Sequence, residues 1–526
     1  MFFIEGEGFV GRSEGTFDQE SEKAPSARRT AAVAEAEAAE VPPFRFSRLG
    51  PVGQRLDRDS RVKVARAMTA DDRGDGVIPA GFTYLGQFVD HDLTFDATTV
   101  ALGDNVSPAD LLQGRSPTLD LDSLYGAGPG DPVSARFYDD DGRHLKKGTT
   151  TEVGTDVARV GFDVPRVGTS TSPRKANIPD LRNDENLAVA QHHAAFIRFH
   201  NRVVNTLPNS VPVSDRFRKA RQLVVLHYQW MLRTDYLTRI CDKEVVEDVF
   251  RHGRKVFEVG ADPFSMPTMP VEFSVAAFRL GHSMVRDAYD WNARFPDNQG
   301  SLDLLFTFSR TSGNLGGNPT LPSNWIADFR RLYRFSEIDH DELKPPAPVN
   351  NAKRIDTKLV DPLARLRAGS FGGTQSQEGT IDANLAFRNL TRATMVKLGS
   401  GQQLADLLIG KGVAVTKLTR AQIRDGAGGV GLGSLTDAER DEFLTHTPLW
   451  FYILREAELN NGRLAGVGAR IVAETFNRAI EGSSFSIVRN KDFRPTLGEV
   501  DGRFRMADLL FFAFEGKKGQ LAPLGD

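Results

Sequence analysis

A single cysteine, Cys241, stands among 526 residues, so no disulfide can form within the chain. Secreted proteins of this size often carry several. No stretch of about 20 apolar residues occurs, which excludes a membrane-spanning helix. The opening residues, MFFIEGEGFVGRSEG, lack the basic start and the continuous apolar run of a secretory signal. These absences lead us to expect the cytoplasm, or export by a route without a cleaved signal. Excess positive charge is missing too. The 66 Lys and Arg residues face 69 Asp and Glu, for a net charge of −3, so no general electrostatic grip on nucleic acid is expected. No internal repeat is present.

Hydrophobic residues make up 40% of the chain, enough for a large core. The length alone would suggest two or three domains, but large all-helical enzymes also run as one. Residues 13 to 42 hold Glu, Ala and Ser and almost no large apolar side chain. This composition predicts a disordered tail over residues 1–43, with one domain over 44–526. Helical periodicity marks residues 80–95, 184–210, 214–250, 271–289, 380–410 and 435–480. Residues 102–180 are rich in Gly, Asp and Thr and read as a long excursion with turns and a hairpin. The final apolar stretch, MADLLFFAFEG, is expected to pack on the core. The fold class expected is mainly α with few short strands.

Three segments carry ionisable groups in apolar surroundings. GQFVDHDLTF places Asp90, His91 and Asp92 side by side, with Gln87 one turn before His91 on the same helical face. Buried charges are costly unless each has a partner. An adjacent His-Asp pair also fits a metal-dependent phosphohydrolase of the HD type, but that needs an upstream histidine, and none precedes His91. RNDENLAVAQHHAAFIRFHNR places Arg182 and Glu185 at i,i+3 at the head of a helix. In isolation these are an ordinary ion pair, and His193, His200 and Arg202 are packing or capping residues. In FRLGHSM, His282 read alone is a satisfied core histidine.

Taken in order, GQFVDHDLTF, RNDE followed by HNR, RLGH, and RNLTR at 388–392 resemble the animal-type haem peroxidase superfamily. This is the myeloperoxidase, lactoperoxidase and cyclooxygenase group. The resemblance runs from about residue 60 to the C-terminus. It implies a single large peroxidase-type domain, haem b, and a reaction with hydrogen peroxide. It makes His91 the distal histidine, Gln87 the distal glutamine and Arg182 the distal arginine. Asp90 and Glu185 match the carboxylates that form esters to haem methyls. Asn186 follows Glu185 where relatives with a methionine–haem bond carry Met, so that bond should be absent. His282 matches the proximal iron ligand, and Arg279 an arginine that pairs with a haem propionate. Asn389 matches the asparagine that accepts from the proximal imidazole, and Arg392 is a further propionate partner.

Asp92 points ~100° away from His91 around the helix, and its family counterpart ligates Ca²⁺. The partner loop is SPTLDLDSLYG, which by the same resemblance supplies Ser116, Thr118 (through its carbonyl), Asp120 and Asp122. The activity implied is reduction of peroxide and, through an oxo-ferryl intermediate, oxidation of halides or small organic donors such as phenols. Two other readings stand beside it. In the fatty-acid dioxygenase branch a radical-forming tyrosine lies three residues before the proximal histidine, and here that position is Arg279. The other is a haem-retaining structural or adhesive protein without turnover, since some superfamily members mediate adhesion. The cysteine-poor chain suits a bacterial member serving in the response to oxidative stress.

Overall fold

The computed structural model describes residues 44–70, 74–98, 101–169, 172–367 and 378–526. The tail expected over 1–43 lies outside the described residues. The principal helices are α1 (Arg58–Met68), α2 (Gly81–Leu93), α3 (Leu187–Thr206), α4 (Arg216–Met231), α5 (Lys243–His252), α6 (Leu385–Met395), α7 (Gly401–Gly410), α8 (Leu449–Leu459), α9 (Gly466–Gly482) and α10 (Met506–Ala513). As expected, the fold is mainly helical and forms one domain. One large core runs from Phe46 to Leu521, and Val164, Ala176, Ile178 and Ala194 form a small separate cluster.

The strands are short. Phe44–Ser47 lies between Leu112–Gln113, antiparallel, and Met269–Pro270, parallel, with Phe44 opposite Gln113 and Phe46 opposite Met269. Asp75–Pro79 pairs antiparallel with Asn351–Lys353 and leads directly into α2. The excursion over 102–180 contains the hairpin expected there, Arg166–Val167 against Lys175–Ala176. A buried ion-pair network anchors it. Arg166 bonds Asp163 at 2.6 Å and Asp184 at 2.7 Å, and Asp184 also accepts from the Ala176 amide at 3.0 Å.

α2 is buried along nearly its whole circumference. A helix apolar on all sides belongs inside a large core, and here α3 covers one face. Phe88 stacks on Phe196 of α3, with centroids 4.4 Å apart. The close approach of Tyr236 needs a glycine at position 86, because a Cβ there would lie 2.4 Å from its hydroxyl. α3 starts at Asn186, whose side chain accepts from the Val189 amide at 2.9 Å, a standard N-cap.

The expected helical stretches are interrupted: 380–410 divides into α6 and α7, and 435–480 into Asp437–Thr445, α8 and α9. After Met231 the chain makes a π-helical turn over Leu232–Tyr236, a short helix over Leu237–Ile240, and stops at Cys241. Cys241 is buried and bridges to Leu464. The continuous helix expected over 271–289 is instead Val271–Val275, a 3-10 turn over Ala277–Leu280 and a single turn over Gly281–Met284, before Ala288–Tyr289 pairs with Gly300–Ser301. The break falls at Ala276, with φ −132° and ψ −69°. Side chains take up carbonyls left by it. Arg279 Nε donates to Ser274 O at 3.0 Å, and Trp450 Nε1 donates to Arg279 O at 3.3 Å. The segment carrying His282 is therefore a bent strap seated against α8 rather than a rigid rod.

Candidate active site

Three elements converge. α2 brings Gln87, Asp90, His91 and Asp92. The 3-10 turn Leu181–Asp184, just before α3, brings Arg182 and Glu185. The strap over Gly281–Met284 brings His282, and α2 packs against it, with Thr83 Oγ1 donating to Met284 O at 3.4 Å.

On the first side, His91 Nδ1 lies 2.8 Å from Asn183 Oδ1, and its Nε2 is 3.9 Å from Glu185 Oε2. An N–H at Nδ1 donates to the Asn183 carbonyl, which leaves Nε2 as the basic nitrogen. Burial, and then the Arg182 guanidinium, hold the His91 pKa well below its usual range, so the ring is neutral. Arg182 is clamped by Asp180, Nε to Oδ1 at 3.0 Å and Nη2 to Oδ2 at 2.7 Å. Its Nη2 also donates to the His91 carbonyl at 3.0 Å, and its guanidinium lies 4.6 Å from the Phe95 ring centroid. Burial alone would raise the Asp180 pKa, but Arg182 and Arg115 outweigh it and hold this carboxyl well below the ordinary range. Gln87 Nε2 donates to Glu185 Oε2 at 3.3 Å, and Asn186 Nδ2 donates to Gln87 Oε1 at 2.9 Å.

On the second side, Asn389 Nδ2 is 2.7 Å from His282 Nδ1, and Arg279 Nη1 donates to Asn389 Oδ1 at 3.3 Å. Asn389 faces His282 Nδ1 with its amide nitrogen, where the resemblance implies that its carbonyl accepts. With Nδ2 against the ring, the asparagine donates and the imidazole proton moves to Nε2. A half-turn of the amide presents Oδ1 instead and returns Nε2 to the basic form. Arg279 is half-buried, and Asp90 and Asp96 are its counter-charges. Arg392 Nη1 reaches Asp96 Oδ2 at 3.4 Å, and burial brings its pKa down to about 10. Burial raises Asp90, while Arg279 and Arg182 pull it back. Asp90 thus couples the two histidine-bearing sides.

The SPTLDLDSLYG loop meets Asp92. Asp92 accepts from the Leu121 amide at 3.1 Å and from the Ser123 amide and hydroxyl, each at 3.3 Å. Ser116 hydrogen-bonds Asp122, and its hydroxyl is 3.0 Å from that of Thr118. Burial, and then the Asp122 charge, push Asp92 up to about 8. Asp120 turns both oxygens to the Ser484 amide, at 3.0 and 2.9 Å. Among the described residues, no three His, Cys, Asp or Glu side chains form a metal-binding group.

Sequence reasoning missed Asn183 and Asp180, and saw in Asn186 only a missing methionine. Asp180 had a local signal, since it caps the 3-10 turn by accepting from Arg182 N at 3.0 Å. Asn183 had none, because its partner lies 92 residues away.

The animal haem peroxidase family matches residues 96–318. The match takes in Arg182, Glu185 and His282, while the α2 residues and Asn389 lie outside it. A peroxidase-like protein from Margaritifera margaritifera is 30% identical over 163 residues, covering 30% of this chain and 21% of that protein. Mouse thyroid peroxidase is 28% identical over 191 residues, covering 34% of this chain and 20% of its own. The aligned segments thus span about a fifth of those relatives. Peroxidase A from Dictyostelium discoideum has a similar fold, with a TM-score of 0.54 and 16% identity over 93% of this chain and 95% of its own. A fatty acid alpha-dioxygenase from Oryza sativa, determined with palmitic acid, gives a TM-score of 0.52 and 10% identity over 93% and 84%. These likenesses, over residues 96–318 in sequence and over most of the chain in fold, support the animal haem peroxidase superfamily. That family implies haem and an enzyme of the peroxidase or oxygenase kind. Among the described residues no helix is long and apolar enough to cross a membrane.

The residues fit a haem. Two buried imidazoles from separate elements each have Nδ1 engaged by an asparagine; Nε2 is the basic atom of His91, and becomes that of His282 when the Asn389 amide turns its oxygen to the ring. Buried arginines and carboxylates on the same elements match a group that carries carboxylates and methyls.

Proposed function

We propose that the chain is a haem peroxidase that reduces hydrogen peroxide and oxidises halides or small organic donors. The observation that carries this reading is His91, held by Asn183 with Nε2 as base, beside an Arg182 clamped by Asp180. Bound through His282, the haem supplies the iron at which the O–O bond is broken and oxidising equivalents are stored. His91 Nε2 takes the proton from one peroxide oxygen and returns it to the other. Arg182 is a fixed cation for the negative charge that develops on the departing oxygen. Gln87, held by Asn186 and Glu185, positions water, peroxide or halide. Asp90 and Glu185 are the ester-forming carboxylates, and Arg279 and Arg392 hold the propionates. Asn389 sets the His282 tautomer. Asp92, Ser116, the Thr118 carbonyl, Asp120 and Asp122 form a Ca²⁺ site, and a cation there would relieve the repulsion between Asp92 and Asp122. The peroxidase domain spans 44–526.

A fatty-acid dioxygenase is the second reading, favoured by the fold shared with the rice enzyme. Arg279 stands at the position of that branch's tyrosine, which favours peroxidase. The test is an absorbance spectrum of protein expressed with haem, before and after acid–acetone extraction, followed by peroxide with bromide, iodide or phenol. Peroxide-dependent donor oxidation that His91→Ala abolishes is the expected result. Oxygen uptake with palmitic acid and none with peroxide donors would favour the dioxygenase. A Soret band without either activity would indicate a haem-retaining adhesive protein.

A further inference from the structure

A cleft of about 870 Å³ opens between the end of α4, the π-helical turn, the end of α5 and the loop over 487–494. No residue of the candidate active site lines it. Its walls carry Arg233, Arg251, Lys491 and Arg494. None of these four forms an ion pair among the described residues. The acid at the rim, Glu481, is engaged by Arg254 at 2.7 Å and by Arg478 at 3.5 Å. His252, also at the rim, is engaged by Asp248 at 3.0 Å. Four uncompensated cations thus share one concavity on a chain whose net charge is −3.

Aromatic rings lie among the cations. Arg233 sits 5.0 Å from the Phe250 centroid and Arg494 5.8 Å from that of Trp230. Trp230 meets Phe493 edge to face at 6.0 Å. Arg494 spends Nη1 on the carbonyls of Lys491 and Phe493, at 3.0 and 2.7 Å, which fixes it facing the cleft without neutralising it. Burial, and then Arg494, lower the Arg233 pKa, the signature of cations brought together without an anion. Arg233 and Thr234 reach the cleft from the π-helical turn, a costly irregularity that recurs at functional sites. The volume is in the range of small-molecule sites.

We propose that this cleft binds a small aromatic anion, an aryl phosphate, sulfate or carboxylate, with its ring on Trp230, Phe250 and Phe493 and its oxygens on Arg233 and Arg494. Guanidinium groups suit such planar or tetrahedral oxyanions, and their charge-assisted bonds are the stronger kind. The site is independent of the peroxidase reading.

The test is titration calorimetry of the full-length protein with 1-naphthyl phosphate, in parallel with inorganic phosphate and 1-naphthol. Naphthyl phosphate should bind at least about tenfold more tightly than either fragment, and Arg233→Gln with Arg494→Gln should weaken it about tenfold or more, each factor being about 1.4 kcal/mol. Raised salt should weaken it too. Far-ultraviolet circular dichroism of the double variant should match wild type. Equal binding of inorganic phosphate would overturn the proposal by showing a mere charge patch. Equal binding of naphthol would overturn it by showing a mere apolar crevice. Unchanged affinity in the folded double variant, or no binding at all, would overturn it outright.

Discussion

The amide oxygen of Asn183 sits 2.8 Å from Nδ1 of His91, and that contact decides which imidazole nitrogen is basic. Asn183→Ala should leave His91 in place but free to turn. We expect it to slow the reaction with peroxide about tenfold, against roughly 10²-fold or more for His91→Ala. Stopped-flow absorbance against peroxide concentration measures both. An Asn183→Ala protein as fast as wild type would mean that the ring is oriented by something else.

Gly86 and Tyr236 set the seat of α2. A methyl at position 86 would lie 2.4 Å from the Tyr236 hydroxyl and 3.3 Å from Cζ. Gly86→Ala should therefore push the helix carrying Gln87, Asp90 and His91 out of register and lower haem retention. Adding Tyr236→Phe removes the clashing oxygen and should restore much of the loss. Haem content of the single and double variants is the readout. An additive effect would show that the two residues do not interact.

Glu456 is fully buried, and burial raises its pKa from the ordinary 4.5 to about 8, although it accepts from the Val467 and Gly468 amides at the start of α9. A folded pKa above the unfolded one means that stability is greatest with the acid protonated. That contribution is complete below the unfolded value and is lost as pH rises through about 8. Glu456→Gln is neutral throughout. Between about pH 5 and about pH 8 it should gain on wild type by up to about 1.4 kcal/mol per pH unit. Melting temperatures of both proteins across that range test this, and a constant difference would count against it.

Calcium should raise the melting temperature if Asp92, Asp122 and their neighbours bind it, because a ligand that binds only the folded state stabilises it. Chelation should reverse the effect, and Asp122→Ala should abolish it. Because Asp92 adjoins His91, chelation should also disturb the Soret band. A protein indifferent to both calcium and chelator would remove the calcium assignment while leaving the haem residues untouched.

α2 was legible because its apolar period persists and because Gln87 and His91 fall one turn apart. The strap holding His282 was not. Its apolar period runs straight through Ala276, with no Pro or Gly at the break, and the bend depends on a tryptophan from α8. The side chains that orient the candidate site divide in the same way. Residues matching a motif could be read in place. Asn183 could not, because short-range spacing says nothing about a partner 92 residues distant. The basic cleft was equally invisible, since Arg233 and Arg494 come from distant segments.

The chain's only thiol is sealed in the core, where burial pushes its pKa up. Sulfur reacts with peroxide as thiolate, and a thiol held protonated and out of solvent offers almost none. The thiol is therefore withheld from any oxidant in solution, and the half-exposed Met266 is a more accessible sulfur. The protein should tolerate repeated exposure without forming cross-linked dimers, and it should need no reductant in storage.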